Sequence, residues 1–509
     1  MATSSSFPLE TFERGKRTFR KLLLGSGIGL GGGAAFAVAA AQTSPIVGCG
    51  LVLGAMAVLC MTLSPIAGLL LVSATIPIER IGRLTEDFSS MTISLSRLVG
   101  LAALATFLLY AIFKKINLRF GRAFWIYAGY TFVAATTIVH AFEQKDAIRD
   151  TFRVLGNLLF FFYIINVVRG IKLARAAVAM WLIVSVGTVV YAAYDYHFGH
   201  SDQVQESEMG SMSKRFTTVV SDDSETRTLG VKIARAYGTT SHPTLFGLNL
   251  TMTLPFFAYM IRMRPWKYKV LLFAGMLLVG YGIILSNTRA VMVLAVLTLF
   301  AIVARGLWTL HARSIIALVL LCLALVPLIP KDVYMRTFDP ALYSTKNSDS
   351  IRIRFTYWQK SWELIEHYWL TGIGIGDQTT IVKMVTNEMS GRITPDGLKA
   401  SAHNEYIWVM VEVGIFGYLF HFGFVATVLW ASVKGSSLVR HDPALQEQYW
   451  LLIAAQITLV GVILFAVQTE AFHFALKGWW LAAGLSWVLY ENAHKRVATP
   501  FIEPHEQLA

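Results

Sequence analysis

The residues best suited to chemistry form a short polar run at the start of an apolar segment. His403, Asn404 and Glu405 directly precede a strongly apolar stretch that also contains Glu412. A neutral imidazole can accept a proton near pH 7, and a titratable group at the edge of an apolar segment is costly unless it is solvated or paired. We therefore predict His403 as a catalytic general base, with Asn404, Glu405 and Glu412 as supporting residues. The alternative is a histidine that only caps a helix or lies among lipid headgroups.

Two arginines stand where a polar segment meets an apolar one. Arg289 follows Ser286-Asn287-Thr288 between two apolar blocks, and Arg235 lies shortly before another block. A guanidinium so close to hydrocarbon needs an anionic partner, and its planar fork suits phosphate oxygens. We predict that both arginines bind phosphate. The alternative is that each side chain simply extends to the lipid headgroups.

The elements that must position these residues are membrane helices. Hydrophobic residues make up 55% of the chain and charged residues 15%, and the apolar residues fall in blocks that are long enough to cross a hydrocarbon core and lack the alternation of a barrel. The blocks lie at roughly 22–43, 46–62, 64–78, 93–113, 123–142, 154–168, 176–194, 246–261, 270–287, 290–304, 314–329, 405–432, 450–468 and 476–490. The sequence predicts an all-α polytopic membrane protein with about 12–14 transmembrane helices, in which 46–78 could instead be a broken pair or a re-entrant hairpin.

Basic residues mark one side of the membrane, because they precede the first block and occupy every second short loop. These loops contain Lys114, Lys115, Arg119 and Arg122; Arg169, Lys172 and Arg175; Arg262, Arg264, Lys267 and Lys269; Arg305 and Arg313; Lys434 and Arg440; and Lys495 and Arg496. Positive residues stay cytoplasmic, so the sequence predicts a multi-pass membrane protein with both termini inside. The net charge of +13 then reflects this bias and contact with anionic membrane lipids. No basic run has the interleaved aromatic residues of a nucleic-acid groove, so no nucleic-acid partner is predicted.

This topology divides the chain into seven segments. They are a cytoplasmic N-terminal segment (1–21), N-terminal transmembrane helices (22–194), a first long periplasmic loop (195–245), central transmembrane helices (246–329), a second long periplasmic loop (330–404), C-terminal transmembrane helices (405–490) and a cytoplasmic tail (491–509). The first block also resembles a signal peptide, but its length favours a retained helix. Cys49, Cys60 and Cys322 lie inside apolar blocks and are predicted to be buried thiols without a disulfide partner.

The second long loop is predicted to contain an interfacial amphipathic helix. Its apolar stripe consists of Phe355, Trp358, Trp362, Ile365 and Trp369, which recur at helical spacing and share one face. Arg352 and Arg354 flank this stripe, and aromatic residues beside cations are typical of a helix in the membrane interface. The glycine run at 372–376 should end this helix in a turn. A phosphate-binding loop is the alternative, but no Gly-Lys-Ser/Thr follows the glycines.

Four segments in this order resemble the O-antigen ligase superfamily, which includes O-antigen ligases, Wzy-type polysaccharide polymerases and pilin O-oligosaccharyltransferases. The segments are Arg235…Gly238…His242-Pro243, Ser286-Asn287-Thr288-Arg289, Arg354…Trp358…Gly372-Ile373-Gly374, and His403-Asn404…Glu412-Val413-Gly414. They span about residues 230–420, and the last is the most specific. The N-terminal part of the chain matches only as apolar helices.

The resemblance implies an enzyme that moves a glycan from undecaprenyl diphosphate to an acceptor hydroxyl on the periplasmic side. Arg235 and Arg289 are then expected to bind the departing diphosphate, with Arg352 or Arg354 as a third cation. His403 would remove the hydroxyl proton, and direct attack would invert the anomeric carbon. The acceptor would be lipid A-core for an O-antigen ligase, which we favour, or another glycan for a polymerase. Either Glu405 or Glu412 could orient His403, and a helix beginning near Asn404 makes Glu412 the better structural partner within the bundle.

No metal and no cofactor are predicted. Neither long loop contains an Asp-X-Asp pair or histidines at ligand spacing. The competing class of function is a transporter for lipid-linked glycan, which would also be polytopic and basic. Transporters often contain internal repeats and broken helices at the membrane midplane. Polar residues gathered in long loops on one side favour an enzyme.

Overall fold

The computed structural model describes residues 54, 56–78, 94–198, 215–219, 231–240, 242–308, 346–376, 403–469, 471–473 and 476–498. The helices numbered here, in chain order, are α1 (Pro65–Ala74), α2 (Leu95–Phe113), α3 (Arg122–Thr137), α4 (Gln144–Val167), α5 (Ile171–Phe198), α6 (Pro243–Met263), α7 (Trp266–Leu285), α8 (Arg289–Ala304), α9 (Lys346–Tyr368), α10 (Glu405–Val439), α11 (Gln446–Phe465) and α12 (Lys477–Ala498). Strands β1 (Arg215–Val219) and β2 (Val231–Arg235) lie between α5 and α6.

The described residues confirm a helical, polytopic membrane protein. Seven spans are long and apolar enough to cross a membrane, namely α2, α4, α5, α6, α7, α10 and the segment Pro443–Phe465 that ends with α11, while α1 and α8 are shorter apolar helices. The predicted blocks at 22–43 and 314–329 lie outside the described residues. The total of about 12–14 transmembrane helices therefore stays a prediction.

The helices alternate in direction, which gives the bundle two distinct ends. Thr458 Oγ1 donates to the Met252 carbonyl at 3.1 Å, and Tyr259 Oη donates to Glu447 Oε1 at 3.1 Å. These contacts pair the end of α6 with the start of α11, so the two helices are antiparallel and the start of α6 lies at the end of α11. Beyond α7, the Leu285 carbonyl accepts from Ala236 N at 2.9 Å, so α6 begins where α7 ends. We call this the loop end, because described parts of both long loops, Arg235–Ala236 and the residues just before α10, lie there.

The opposite end collects the basic loops and is called the basic end. Arg119 N donates to Asn166 Oδ1 at 2.7 Å, which joins the α2–α3 loop to the end of α4. Arg175 forms a salt bridge of 2.8 Å with Glu447 at the start of α11. The cations that the sequence places in alternate loops therefore share one end of the bundle, as the positive-inside pattern predicts.

The first long loop contains a hairpin that the prediction of an all-α protein did not include. Strands β1 and β2 pair antiparallel, with Arg215 opposite Arg235 and Val219 opposite Val231. Both strands are rich in β-branched residues, which favour extended backbone. The hairpin matters for function because β2 ends at Arg235.

Helix α9 confirms a helix in the second loop but divides the predicted apolar stripe between two faces. Ile365 is buried, together with Tyr357 and Leu364, against a cluster from α10 and the glycine turn that comprises Trp408, Val411 and Ile373. The side chains of Phe355, Trp362 and Trp369 are 60%, 58% and 53% exposed. The prediction that Ile365 shares their face is wrong, because α9 packs on the first turns of α10 and needs an apolar inner face there.

The prediction of buried cysteines is wrong for Cys60, which is exposed. It lies on the outward side of a helical stretch, where lipid rather than protein would surround it. Cys49 and Cys322 lie outside the described residues.

Candidate active site

The structure brings the first two motif segments together at the loop end. Arg235, the last residue of β2, is buried against the turn between α7 and α8. Its Nη2 donates to Thr288 Oγ1 at 2.7 Å and its Nε donates to the Ser286 carbonyl at 3.4 Å. Arg289 follows as the first residue of α8 and is half-buried. Arg235 therefore contacts the turn from which Arg289 starts α8, at a helix N-terminus whose dipole favours an anion.

Two of the four motif segments contain a non-glycine residue with a left-handed backbone conformation. Asn287 has φ of 47° and His403 has φ of 49°, and the one further non-glycine residue with positive φ in the described part is Lys115. Asparagine and histidine both adopt this region more often than most other non-glycine residues. Such conformations cost about 1–3 kcal/mol and are concentrated at functional sites. Asn287 lies just before α8 and His403 just before α10, so these two backbone conformations set the direction in which the chain enters each helix.

His403 lies just before α10, and its neighbour fixes the start of that helix. Asn404 Oδ1 accepts from Tyr406 N at 3.0 Å and from Ile407 N at 3.2 Å. This is the capping arrangement expected of asparagine at a helix N-terminus. His403 itself is half-buried, so its imidazole is held by a fixed backbone yet remains accessible. The predicted supporting role of Asn404 is thus that of a helix cap.

Glu405 is fully buried and ties the start of α10 to the segment after α11. Its backbone N donates to the Ala466 carbonyl at 2.9 Å, and its Oε2 accepts from Phe472 N at 3.1 Å. The other oxygen, Oε1, lies 3.9 Å from Nε2 of the buried His421. The sequence analysis missed His421, because a histidine within an apolar run carries no motif of its own. Buried titratable groups this close indicate a polar interior behind His403.

Glu412 holds the glycine turn of the second loop. Its Oε1 accepts from Gly376 N at 2.8 Å, and its carbonyl accepts from Gly374 N at 3.0 Å. Helix α10 is interrupted two residues later, because Gly414 has φ of 61° and ψ of −168°. The Val411 carbonyl, freed by this break, accepts from Ile373 N at 2.9 Å. These contacts agree with the structural role that the sequence favoured for Glu412.

The turn and the broken helix approach each other so closely that only glycine fits at two points. A Cβ on Gly372 would overlap the Glu412 carbonyl, and a Cβ on Gly414 would overlap the Leu370 carbonyl. Both residues also have left-handed φ, which glycine alone adopts without cost. The glycine run therefore packs as a turn against the break in α10, as the sequence predicts.

A cluster of charges on α4 underlies the same turn, and the sequence analysis did not identify it. Arg149 forms salt bridges with Asp146 at 2.9 Å and Asp150 at 3.5 Å, and Arg153 lies 3.6 Å from Asp150. A Cβ on Gly376 would lie 2.8 Å from Asp150 Oδ2. Four charges at helical spacing inside a membrane span are the signal that could have revealed the cluster.

The remaining predicted cations lie on α9. Arg354 is half-buried, and Arg352 lies two residues before it in the same helix. The side chain of Arg352 lies outside the described residues. The prediction that either arginine acts as a third cation stays a prediction.

The starts of α8 and α10, which carry Arg289 and follow His403, both lie towards the end of α11. Gly461 near the end of α11 faces Leu294 in α8, and the Ala466 carbonyl accepts from Glu405 N. The starts of α8 and α10 thus share one end of one helix. Within the described residues, no three His, Cys, Asp or Glu side chains group as metal ligands, so metal independence remains a prediction.

Comparison with known proteins gives one family. The family model described as O-antigen ligase matches residues 274–422, which include Arg289, Arg354, His403 and Glu412. No curated protein matches the chain. Enzymes of this family are membrane-embedded glycosyltransferases or ligases that act on lipid-linked glycans. Three of the four motif segments lie within the matched range, so the match supports the resemblance to the O-antigen ligase superfamily for residues 274–422.

Proposed function

We propose that the protein transfers a glycan from undecaprenyl diphosphate to an acceptor hydroxyl, without a metal ion and with inversion of the anomeric carbon. One observation carries the proposal. The Arg235 guanidinium is held at 2.7 Å from Thr288, directly beside Arg289, at the same end of the bundle as His403. Cations and a candidate base therefore share the loop end.

The two arginines suit the leaving group. Cleavage of the sugar–phosphate bond leaves charge on a diphosphate, and fixed cations in a poorly solvated site stabilise that charge most effectively. Arg235 is buried and oriented by two hydrogen bonds, so little reorganisation is needed when the charge develops. Arg289 adds a second guanidinium and the N-terminus of α8.

His403 suits the acceptor. The attacking hydroxyl must lose a proton, and a neutral imidazole at a fixed position can receive it, a contribution typically of about 10²–10⁴-fold. The left-handed backbone at His403 and the Asn404 cap hold the imidazole at the N-terminal end of α10. Attack from the face opposite the diphosphate then inverts the sugar carbon. Glu405, buried two residues away, is positioned to support this site through the polar interior.

The orientation follows from charge. The basic end is assigned to the cytoplasm and the loop end to the periplasm, because positive loops remain inside. Chemistry at the loop end of an inner-membrane protein meets donor lipids that have already crossed the membrane. We favour lipid A-core as acceptor, by analogy with the family name. The alternative within the family is a Wzy-type polymerase, whose acceptor is another lipid-linked glycan.

A purified protein in nanodiscs, given labelled undecaprenyl-diphosphate oligosaccharide with and without lipid A-core, tests the proposal directly. Transfer that requires lipid A-core indicates a ligase, and chain growth from donor alone indicates a polymerase. His403→Ala should abolish either reaction while the melting temperature stays unchanged. Movement of donor across the membrane without any transfer would instead identify a lipid-linked glycan transporter and would refute the enzyme.

A further inference from the structure

A corner of the basic end brings two arginines from different loops together. The Arg119 backbone exchanges two hydrogen bonds with the Asn166 side chain, at 2.7 Å to Oδ1 and 3.1 Å from Nδ2. Arg169 follows three residues after Asn166, and its carbonyl accepts from Asn492 Nδ2 of α12 at 3.3 Å. The start of α3, the end of α4 and the end of α12 therefore meet around these two side chains.

Nothing in the described part of the chain neutralises this pair. Nη1 of Arg119 is enclosed by protein yet has no hydrogen-bond partner there, and neither arginine forms a salt bridge with a described residue. Partial burial, and after it the Arg119 guanidinium, lowers the pKa of Arg169. Two guanidinium groups that repel each other without a counter-ion indicate a site for an anion.

The carboxylates of the same end are engaged elsewhere. Glu447 accepts from Arg175 and Tyr259, and Asp442 pairs with Arg496 at 3.5 Å. Glu491 accepts from the indole nitrogen of Trp487 at 2.8 Å. Each of these acids thus has its own donor, and none of them forms a salt bridge with Arg119 or Arg169.

An aromatic surface adjoins the arginines on the outward side. Phe120 is 47% exposed and Trp125 is 62% exposed, with ring centroids 5.8 Å apart. Phe120 also packs on Phe162, at 5.3 Å between centroids, one helical turn before Asn166. A cationic pocket that continues into an exposed aromatic surface combines the features of a lipid with an anionic headgroup and apolar chains.

We propose that Arg119 and Arg169 bind the phosphodiester headgroup of an anionic phospholipid, whose acyl chain lies along Phe120 and Trp125. Guanidinium forks match phosphate oxygens in geometry and charge. Basic pockets between membrane helices on the cytoplasmic side are typical sites for such lipids. The bound lipid would join α3, α4 and α12 at the end opposite the active site and thereby stabilise the N-terminal part of the bundle.

The experiment uses full-length protein, purified and delipidated in a neutral detergent, and follows its melting temperature. The probes are phosphatidylglycerol, phosphatidylcholine and inorganic phosphate. The test variant is Arg119→Gln/Arg169→Gln. The matched control is Lys267→Gln/Lys269→Gln, which removes two charges from the same end at a different corner. Arg169→Gln alone serves as a milder variant, because its side chain is exposed.

Phosphatidylglycerol should raise the melting temperature of the wild type and of the control, while phosphatidylcholine and inorganic phosphate should not. The half-saturating lipid concentration should rise at least about tenfold in the double variant and by a smaller factor in Arg169→Gln. An unchanged titration in both arginine variants would overturn the site. An equal response to inorganic phosphate would overturn the lipid assignment and indicate a soluble phosphate ligand.

Discussion

The docked glycine turn predicts that Gly372→Ala will harm the protein far more than one added methyl group suggests. Gly372 has φ of 71°, a region that alanine adopts only with strain. The added Cβ would overlap the Glu412 carbonyl and lie 2.6 Å from Val413 N. These are backbone atoms at the break in α10, which cannot rotate aside as a flexible side chain can. The turn itself must therefore move away from α10.

The size of the effect follows from what that movement disrupts. Left-handed backbone costs alanine about 1–2 kcal/mol. Displacement also weakens the bonds from Ile373 N to the Val411 carbonyl and from Gly374 N to the Glu412 carbonyl, each worth about 0.5–1.5 kcal/mol. The sum is about 2–5 kcal/mol, well above the effect of an ordinary surface substitution. The rate of glycan transfer should fall more than the loss of folding stability alone explains, because the same break in α10 positions the first turns of that helix, which follow His403.

The measurement compares melting temperature in detergent and initial transfer rate for Gly372→Ala and Gly156→Ala. Gly156 lies within α4 with no atom within 4 Å of an added Cβ, so alanine there should be neutral or stabilise by about 0.5–1 kcal/mol. Gly372→Ala should melt several degrees lower and lose most transfer. If the two variants melt and react alike, the turn is not docked on α10 as described and the reasoning is wrong.

Four further outcomes follow from the site. Arg235→Gln should reduce the transfer rate by about 10²–10³-fold. Arg235→Lys should restore little of that rate, because a single ammonium lacks the fork that reaches both Ser286 and Thr288. Transfer rates of both variants at saturating donor check this. Arg289→Gln should weaken donor binding in the same assay, seen as a higher KM. His403→Ala should lower the rate by about 10²–10⁴-fold without changing the melting temperature, and wild-type activity would contradict a base at this position. EDTA should leave transfer by the purified protein unchanged; loss with EDTA and recovery with a divalent ion would show a metal requirement.

The helices and the motif residues could be predicted because both depend on local sequence. A membrane span needs about 20 apolar residues, so α2, α5 and α7 follow from composition alone. The Asn404 cap is equally local, since its side chain bonds the next turn of its own helix. That α8 and α10 both begin at the loop end follows from the basic residues, which occupy every second loop between the helices.

The long-range contacts could not be predicted, because no local pattern encodes them. Gly376 and Asp150 are far apart in the chain, and only the fold brings them within contact. The inward position of Ile365 depends on α10 as its partner, so the spacing of apolar residues alone placed it on the wrong face. The left-handed backbone at His403 is likewise set by its surroundings, since histidine, although enriched in that region, still adopts negative φ at most positions.

The charge cluster on α4 shows that the candidate site extends beyond the family domain. Residues 274–422 match the family, yet Asp150 and Arg153 of α4 lie outside that range. Arg153 lies within electrostatic reach of Asp150, Glu412 and Glu405, so one half-buried guanidinium faces carboxylates from both halves of the chain. Removal of one partner from a group of paired charges in a poorly solvated place is strongly destabilising. We therefore expect the carboxylates of the matched range to depend on α4 for their electrostatic balance, and we predict that the N-terminal helices form part of the site.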